Sequence, residues 1–105
     1  MPDDHREGAV SRHLIVRGRV QGVGYRAWAE REALRRGLQG FVRNLRDGGV
    51  EMLVCGPAPA VAAMIEACRE GPPVATVWDI RNEPADARIA ALRRPGECFS
   101  VLPTA

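Results

Sequence analysis

Lysine is absent from this chain: all fifteen basic residues are arginine, a bias expected of a GC-rich genome because arginine codons are GC-rich. A "GK[ST]" segment is therefore missing too, which excludes a P-loop. Cysteine is sparse. Cys55, Cys68 and Cys98 fall in what read as three different elements, with no CxxC pair and no Cys/His cluster at metal-ligand spacing. Three reduced, mostly buried thiols are expected, and no metal site. Aromatic residues make up only 5% of the chain, too few for a base-stacking sheet of the kind that carries single-stranded RNA. No apolar run approaches the roughly 20 residues needed to span a bilayer. The amino terminus, "MPDDHREGAVS", is polar and partly acidic, without the basic-then-apolar order of a secretory signal. A cytoplasmic protein is expected, with residues 1–11 as a tail and one domain over 12–102, since 105 residues suffice for a single two-layer core.

What is present is punctuated clearly. "RHLIVRGRV" (12–20) reads as a strand rich in β-branched and apolar side chains. Residues 25–36 read as a helix, with Tyr25, Trp28, Ala29 and Ala33 on one face; Leu34 falls on the opposite side. Gly37 is placed to end that helix in a left-handed turn. "GFVRNLR" (40–46) and "VEMLVC" (50–55) read as two strands joined by "DGG", a type I′ hairpin signal. A second helix is expected over 57–70. It opens on prolines and carries the stripe Val61, Met64, Ile65, Cys68. Gly71-Pro72-Pro73 stops it, and "VATVWDIR" (74–81) follows as a fourth strand. Residues 82–96 read as a loop with a possible helical turn in "DARIAALRR", and "ECFSVL" (97–102) as a short edge strand. The order β-α-β-β-α-β with right-handed crossovers gives an α+β, ferredoxin-like sandwich. Its antiparallel sheet runs 4-1-3-2, with both helices on one face.

The segment that carries chemistry is "RGRVQGVGYR" (17–26), with three glycines between a strand and a helix start. Unpaired backbone N–H groups, the positive end of the helix and the freedom of glycine make such a turn an anion cradle. Arg26, in the first helical turn, adds a bidentate fork for phosphate oxygens. "GVGYRA" also matches the G-x-G-x-x-A dinucleotide fingerprint, with Asp47 twenty residues past Ala27. The immediate return through "DGG" and the short chain do not fit a run of parallel βαβ units, so that fold is set aside. The charge distribution points the same way as the cradle. Residues 12–46 hold nine arginines against Glu30 and Glu32. Such a field is either a solvated face or one that attracts a small anion or a nucleic acid. Asn44, an amide in a strand, could orient a water molecule or be solvated beside the hairpin. Sequence alone does not bring it to the loop.

"GRVQGVGYR" followed by "GFVRN" resembles the acylphosphatase family, whose signature is G-x-V-Q-G-V-x-F-R and then, after a helix, G-W-V-x-N. The resemblance spans about residues 12–102, and its fold is also ferredoxin-like. It implies a phosphate loop of Gln21, Gly22, Val23, Gly24 and Tyr25, with Arg26 as the phosphate-binding arginine and Asn44 as the water-positioning asparagine. Tyr25 and Phe41 stand where Phe and Trp are usual, so both sites keep an aromatic ring. The implied reaction is hydrolysis of a carboxyl–phosphate bond in a small acyl phosphate, giving a carboxylate and inorganic phosphate, with no metal or cofactor. His13 precedes the loop and is expected to be a strand-edge residue. A monomer is expected, with no nucleic-acid or membrane partner. The rivals are a catalytically silent binding module of the same fold and a domain of a larger carbamoyl-transferring protein. The chain ends soon after the domain, which favours a free-standing enzyme, and Arg26 with Asn44 favours catalysis.

Overall fold

The computed structural model describes residues 8–105. The elements are β1 (Ala9–Arg19), α1 (Tyr25–Arg35), β2 (Gln39–Asn44), β3 (Val50–Pro57), α2 (Ala58–Glu70), β4 (Thr76–Pro84), α3 (Ala87–Ala90) and β5 (Phe99–Val101). β1 starts three residues earlier than expected because Ala9, Val10 and Ser11 pair with Pro57, Gly56 and Cys55 of β3. Those three residues belong to the sheet and not to a tail; residues 1–7 lie outside the described residues. β4 likewise extends to Pro84, paired with Arg12, into what the sequence suggested was loop.

The strands run β4-β1-β3-β2-β5. The expected 4-1-3-2 order is present, but the sheet is not purely antiparallel. β5 adds a fifth strand, parallel to β2 through Gly40↔Phe99 and Val42↔Val101. A parallel partner needs a long return connection, and residues 85–98 supply it. They include the single turn α3, whose N-cap Asp86 accepts from the Ile89 amide at 2.9 Å.

The period-2 alternation of the strands sorts the core. Leu14, Val16, Val42, Met52 and Val54 are buried beneath α1 and α2, which contribute Ala29, Ala33 and the whole Val61–Met64–Ile65–Cys68 stripe. On the other face Phe41, Leu53 and Leu102 form a smaller cluster with Ile89 of α3 packed against it. α1 ends as the glycine suggested. Gly37 has φ 70°, its amide donates to Leu34 O, and the Leu38 amide donates to Ala33 O at 2.9 Å, a Schellman closure. Leu34 is left exposed. The β2–β3 connection differs from the expected type I′ turn, which needs positive φ at two central residues. Gly48 has φ 101°, Asp47 does not adopt positive φ, and the ladder closes at Asn44↔Val50, so the loop spans residues 45–49.

The cysteines depart from expectation at one position. Cys68 is buried and Cys55 half-buried, but Cys98 is exposed; all three are free thiols. Burial pushes the Cys68 thiol up to about 12.

Candidate active site

The turn between β1 and α1 is fixed by what flanks its glycines. Val20 is fully buried and Val23 packs against the main core. Between and after them Gly22 and Gly24 take φ 76° and 81°, the left-handed region where side chains are strained. A Cβ at either position would meet nothing within 4 Å, so these glycines are required by conformation and not by crowding. Gly24 is the N-cap of α1, makes no side-chain cap, and is followed by no acid in the first turn. The first intrahelical bond runs from the Trp28 amide to Gly24 O, so the earlier first-turn amides have no acceptor within the helix. The helix thus offers its positive end and open N–H groups to the space in front of the loop.

Gln21 brings that loop to β2. Its side-chain amide donates to Leu45 O at 2.7 Å and to Gly49 O at 2.8 Å, lacing the loop to the β2–β3 connection just past Asn44. A second tie runs beside it. Arg17 Nη1 lies 2.6 Å from Asp47 Oδ1, which also accepts from the Gly49 amide at 3.0 Å. The Arg17 guanidinium first, and the Gly49 N–H next, hold the Asp47 carboxyl below its ordinary range.

The result is a concave site of about 330 Å³ lined by Gln21, Gly22, Gly24, Tyr25, Arg26 and Asn44, with Val20, Ala27, Glu30 and Val101 completing it. Arg26 and Asn44, eighteen residues apart in sequence, therefore face one cavity. Asn44 is half-buried at the end of β2, and its carbonyl accepts from the Ala105 amide at 3.0 Å. Among the described residues Arg26 has no ion-pair partner, although many of the other arginines do.

Three of the expected loop residues, Tyr25, Gln21 and Val23, direct their side chains elsewhere. The Tyr25 ring is buried, and its hydroxyl donates to Cys68 O at 2.7 Å, bolting α1 to α2. Burial, with the Cys68 contact, raises that phenol above its ordinary range. Gln21 spends its amide on the hairpin. What both can offer an anion is backbone N–H. Val23 does not line the cavity at all. His13 is not at a strand edge: β1 lies between β4 and β3, and His13 Nε2 sits 2.7 Å from Glu51 Oε2 on the other face of the sheet. Glu30 was not singled out by sequence, although its position one turn beyond Arg26 on the same helix face was a usable signal. Among the described residues no group of three or more His, Cys, Asp or Glu is placed to hold a metal ion.

A four-stranded 4-1-3-2 core with two helices on one face, extended by β5, defines a protein of the ferredoxin-like class, with a glycine loop, an arginine and an amide at one cavity. Comparison with known proteins narrows that class. The acylphosphatase family profile matches residues 12–93. An acylphosphatase of Nitrobacter hamburgensis is 54% identical over 95 residues, covering 90% of this chain and 96% of its own. The structure of a Coxiella burnetii acylphosphatase superposes with a TM-score of 0.82 at 29% identity, covering 96% of this chain and all of that one. A Bacillus subtilis acylphosphatase structure gives 0.76 at 37% identity, with 89% and 98% covered. The chain belongs to the acylphosphatase family.

Proposed function

We propose that the 21–25 loop, Arg26 and Asn44 hydrolyse the carboxyl–phosphate bond of small acyl phosphates, releasing a carboxylate and inorganic phosphate. The observation that carries the assignment is the shared cavity of Arg26 and Asn44 in front of unpaired loop amides. The amides of the loop and first helical turn hold the phosphoryl oxygens, and Arg26 clamps them with its fork. Asn44, with both a donor and an acceptor, aligns a water molecule opposite the leaving carboxylate. The water oxygen bonds to phosphorus as the phosphorus–carboxylate bond breaks, and its proton passes to a phosphoryl oxygen. The carboxylate leaves without needing an acid, so no general acid is assigned. Positioning and charge stabilisation supply the rate, as in phosphoryl transfer generally. Every group in this scheme comes from one chain, which supports action as a monomer.

The test is phosphate release from benzoyl phosphate in the presence of EDTA, with wild type and Asn44→Ala side by side. Turnover by the wild type, lost in the variant while phosphate still binds, is the expected result. A folded wild type that releases no phosphate would refute the assignment, and an Asn44→Ala protein that turns over normally would remove Asn44 from it.

A further inference from the structure

The last turn of α2 leaves one carbonyl without a helical partner. The donor four residues past Cys68 would be residue 72, which is proline and has no N–H. The Tyr25 hydroxyl takes that place, donating to Cys68 O at 2.7 Å. Room for its ring comes from Gly71, the C-cap of α2 at φ 66°. A Cβ there would lie 2.7 Å from Tyr25 Cε2 and 3.2 Å from Cδ2. Trp28, further along α1, packs on the ring with centroids 5.2 Å apart. The Tyr25 residue is left only 1% exposed. α1 and α2 otherwise approach each other little, each resting on the sheet. Tyr25 is therefore the principal tie between them.

The tie sits directly behind the site. Tyr25 is the first residue of α1, between the N-cap Gly24 and Arg26, and it lines the cavity. No side chain caps this helix start. What holds it from behind is the Tyr25 side chain reaching back to α2. We infer that Tyr25 is a positioning residue for the phosphate site: its bond to Cys68 O, with the ring seated over Gly71, fixes the first-turn amides and the base of Arg26 where a phosphoryl group meets them. This rests on the hydrolase assignment above. Loss of that one buried hydrogen bond loosens the helix start without unseating the ring, so phosphate binding should weaken by about three- to fivefold. The amides hold the phosphoryl group in ground state and transition state alike, so the change belongs mainly to KM.

The experiment compares wild type with Tyr25→Phe, Gly71→Ala and Glu51→Ala. Each is titrated with inorganic phosphate while the amide signals of Gly22 and Gly24 are followed by NMR. Urea unfolding and benzoyl phosphate kinetics are measured alongside. Tyr25→Phe keeps the ring that fills the space over Gly71, so the variant remains folded. Its phosphate Kd and its KM should rise about three- to fivefold, with kcat within about twofold of wild type. Gly71→Ala lies outside the cavity lining, yet by displacing the ring it should raise the phosphate Kd about tenfold. Glu51→Ala loses stability through the opposite face of the sheet and should bind phosphate as wild type does, which separates positioning from loss of stability. An unchanged Kd in Tyr25→Phe overturns the inference. So does a Kd that rises in Glu51→Ala as much as in Tyr25→Phe, because weaker binding would then follow stability alone. Wild-type loop amides that ignore phosphate would overturn the hydrolase assignment itself, so the two failures are distinguishable.

Discussion

On the face of the sheet away from α1 and α2, Glu51 is buried between Arg43 Nε at 2.6 Å and His13 Nε2 at 2.7 Å. Arg43 also lies over the Phe41 ring, 5.6 Å from its centre. At the β1–α1 turn, Arg26, Glu30 and Asn44 share a cavity, and neither charged group has an ion-pair partner among the described residues. Both clusters mix arginine with glutamate, and composition alone would rank them equally. The difference lies in satisfaction. A buried carboxylate that already has its donors is part of the architecture. An arginine left without a partner beside open backbone amides has its donors free for a ligand, the role proposed for Arg26 above. Removing a member of the first cluster should therefore cost stability, and removing a member of the second should cost chemistry.

The largest effect expected is on activity. Arg26→Ala removes a charge-assisted anchor from a preorganised site, a loss of about 3–4 kcal/mol in transition-state stabilisation, or roughly 10²–10³ in kcat/KM. Because Arg26 has no ion-pair partner among the described residues, the unfolding free energy of the variant in urea should stay within about 0.5 kcal/mol of wild type. Phosphate binding, read as product inhibition, should vanish with it. Retained turnover would dissolve the contrast from the catalytic side.

Glu51→Ala is the mirror experiment. It strands Arg43 and empties a buried position, so unfolding should become easier by roughly 2–3 kcal/mol. Measured per folded molecule, kcat/KM should remain within about twofold of wild type. A loss of activity in protein shown to be folded would mean that the two faces are coupled and that satisfaction is a poor guide to role.

How far these roles could be read in advance depended on how local their signals were. The strand and helix order, the α2 stripe and the Gly37 closure rest on spacing within one element, and they were legible. The left-handed turn at Gly22 and Gly24 and the place of Arg26 just behind it were legible for the same reason, because these residues are contiguous. The parallel β5 was not, since nothing local in "FSV" fixes the direction of a partner reached after a return of about fourteen residues. The early start of β1 depended on partners at the end of β3, more than forty residues away. His13 was misplaced because its partner, Glu51, sits on another strand. Asn44 was recognised as unusual, but its approach to the loop rests on Gln21, whose amide bridges to backbone carbonyls that no sequence pattern announces.

Gln21 thus tests a residue that touches both halves of the comparison: its side chain is architecture and its backbone belongs to the site. Gln21→Ala leaves two carbonyls without their donor in a part-buried place and should cost about 1–2 kcal/mol of stability. The loop then loses its hold on the hairpin, and kcat/KM should fall by about tenfold through misplacement of Asn44 relative to the phosphate. A stability loss without any rate loss would show that the valine anchors, Val20 and Val23, suffice to place the loop.

The smallest effect belongs to the exposed tie beside it. Arg17 and Asp47 are both well exposed, at 43% and 57% of their side-chain surface, so water and salt screen their pair. The Asp47 carboxyl is nevertheless held below its ordinary 3.8, first by Arg17 and then by the Gly49 amide. A group depressed in the folded state stabilises the fold above its unfolded value and loses that contribution as pH falls through the folded one. The pair's contribution is therefore complete above about pH 4 and disappears only in more acid solution. Asp47→Asn should leave kcat/KM and the urea midpoint at pH 7 close to wild type, because Gln21 still holds the loop and the Asn carbonyl can still accept from Gly49. Its stability should fall less steeply than wild type below pH 4, read from urea midpoints at successive pH values. If instead Asp47→Asn lowered activity as much as Gln21→Ala, the exposed pair and not the part-buried amide would be what sets Asn44 against the loop.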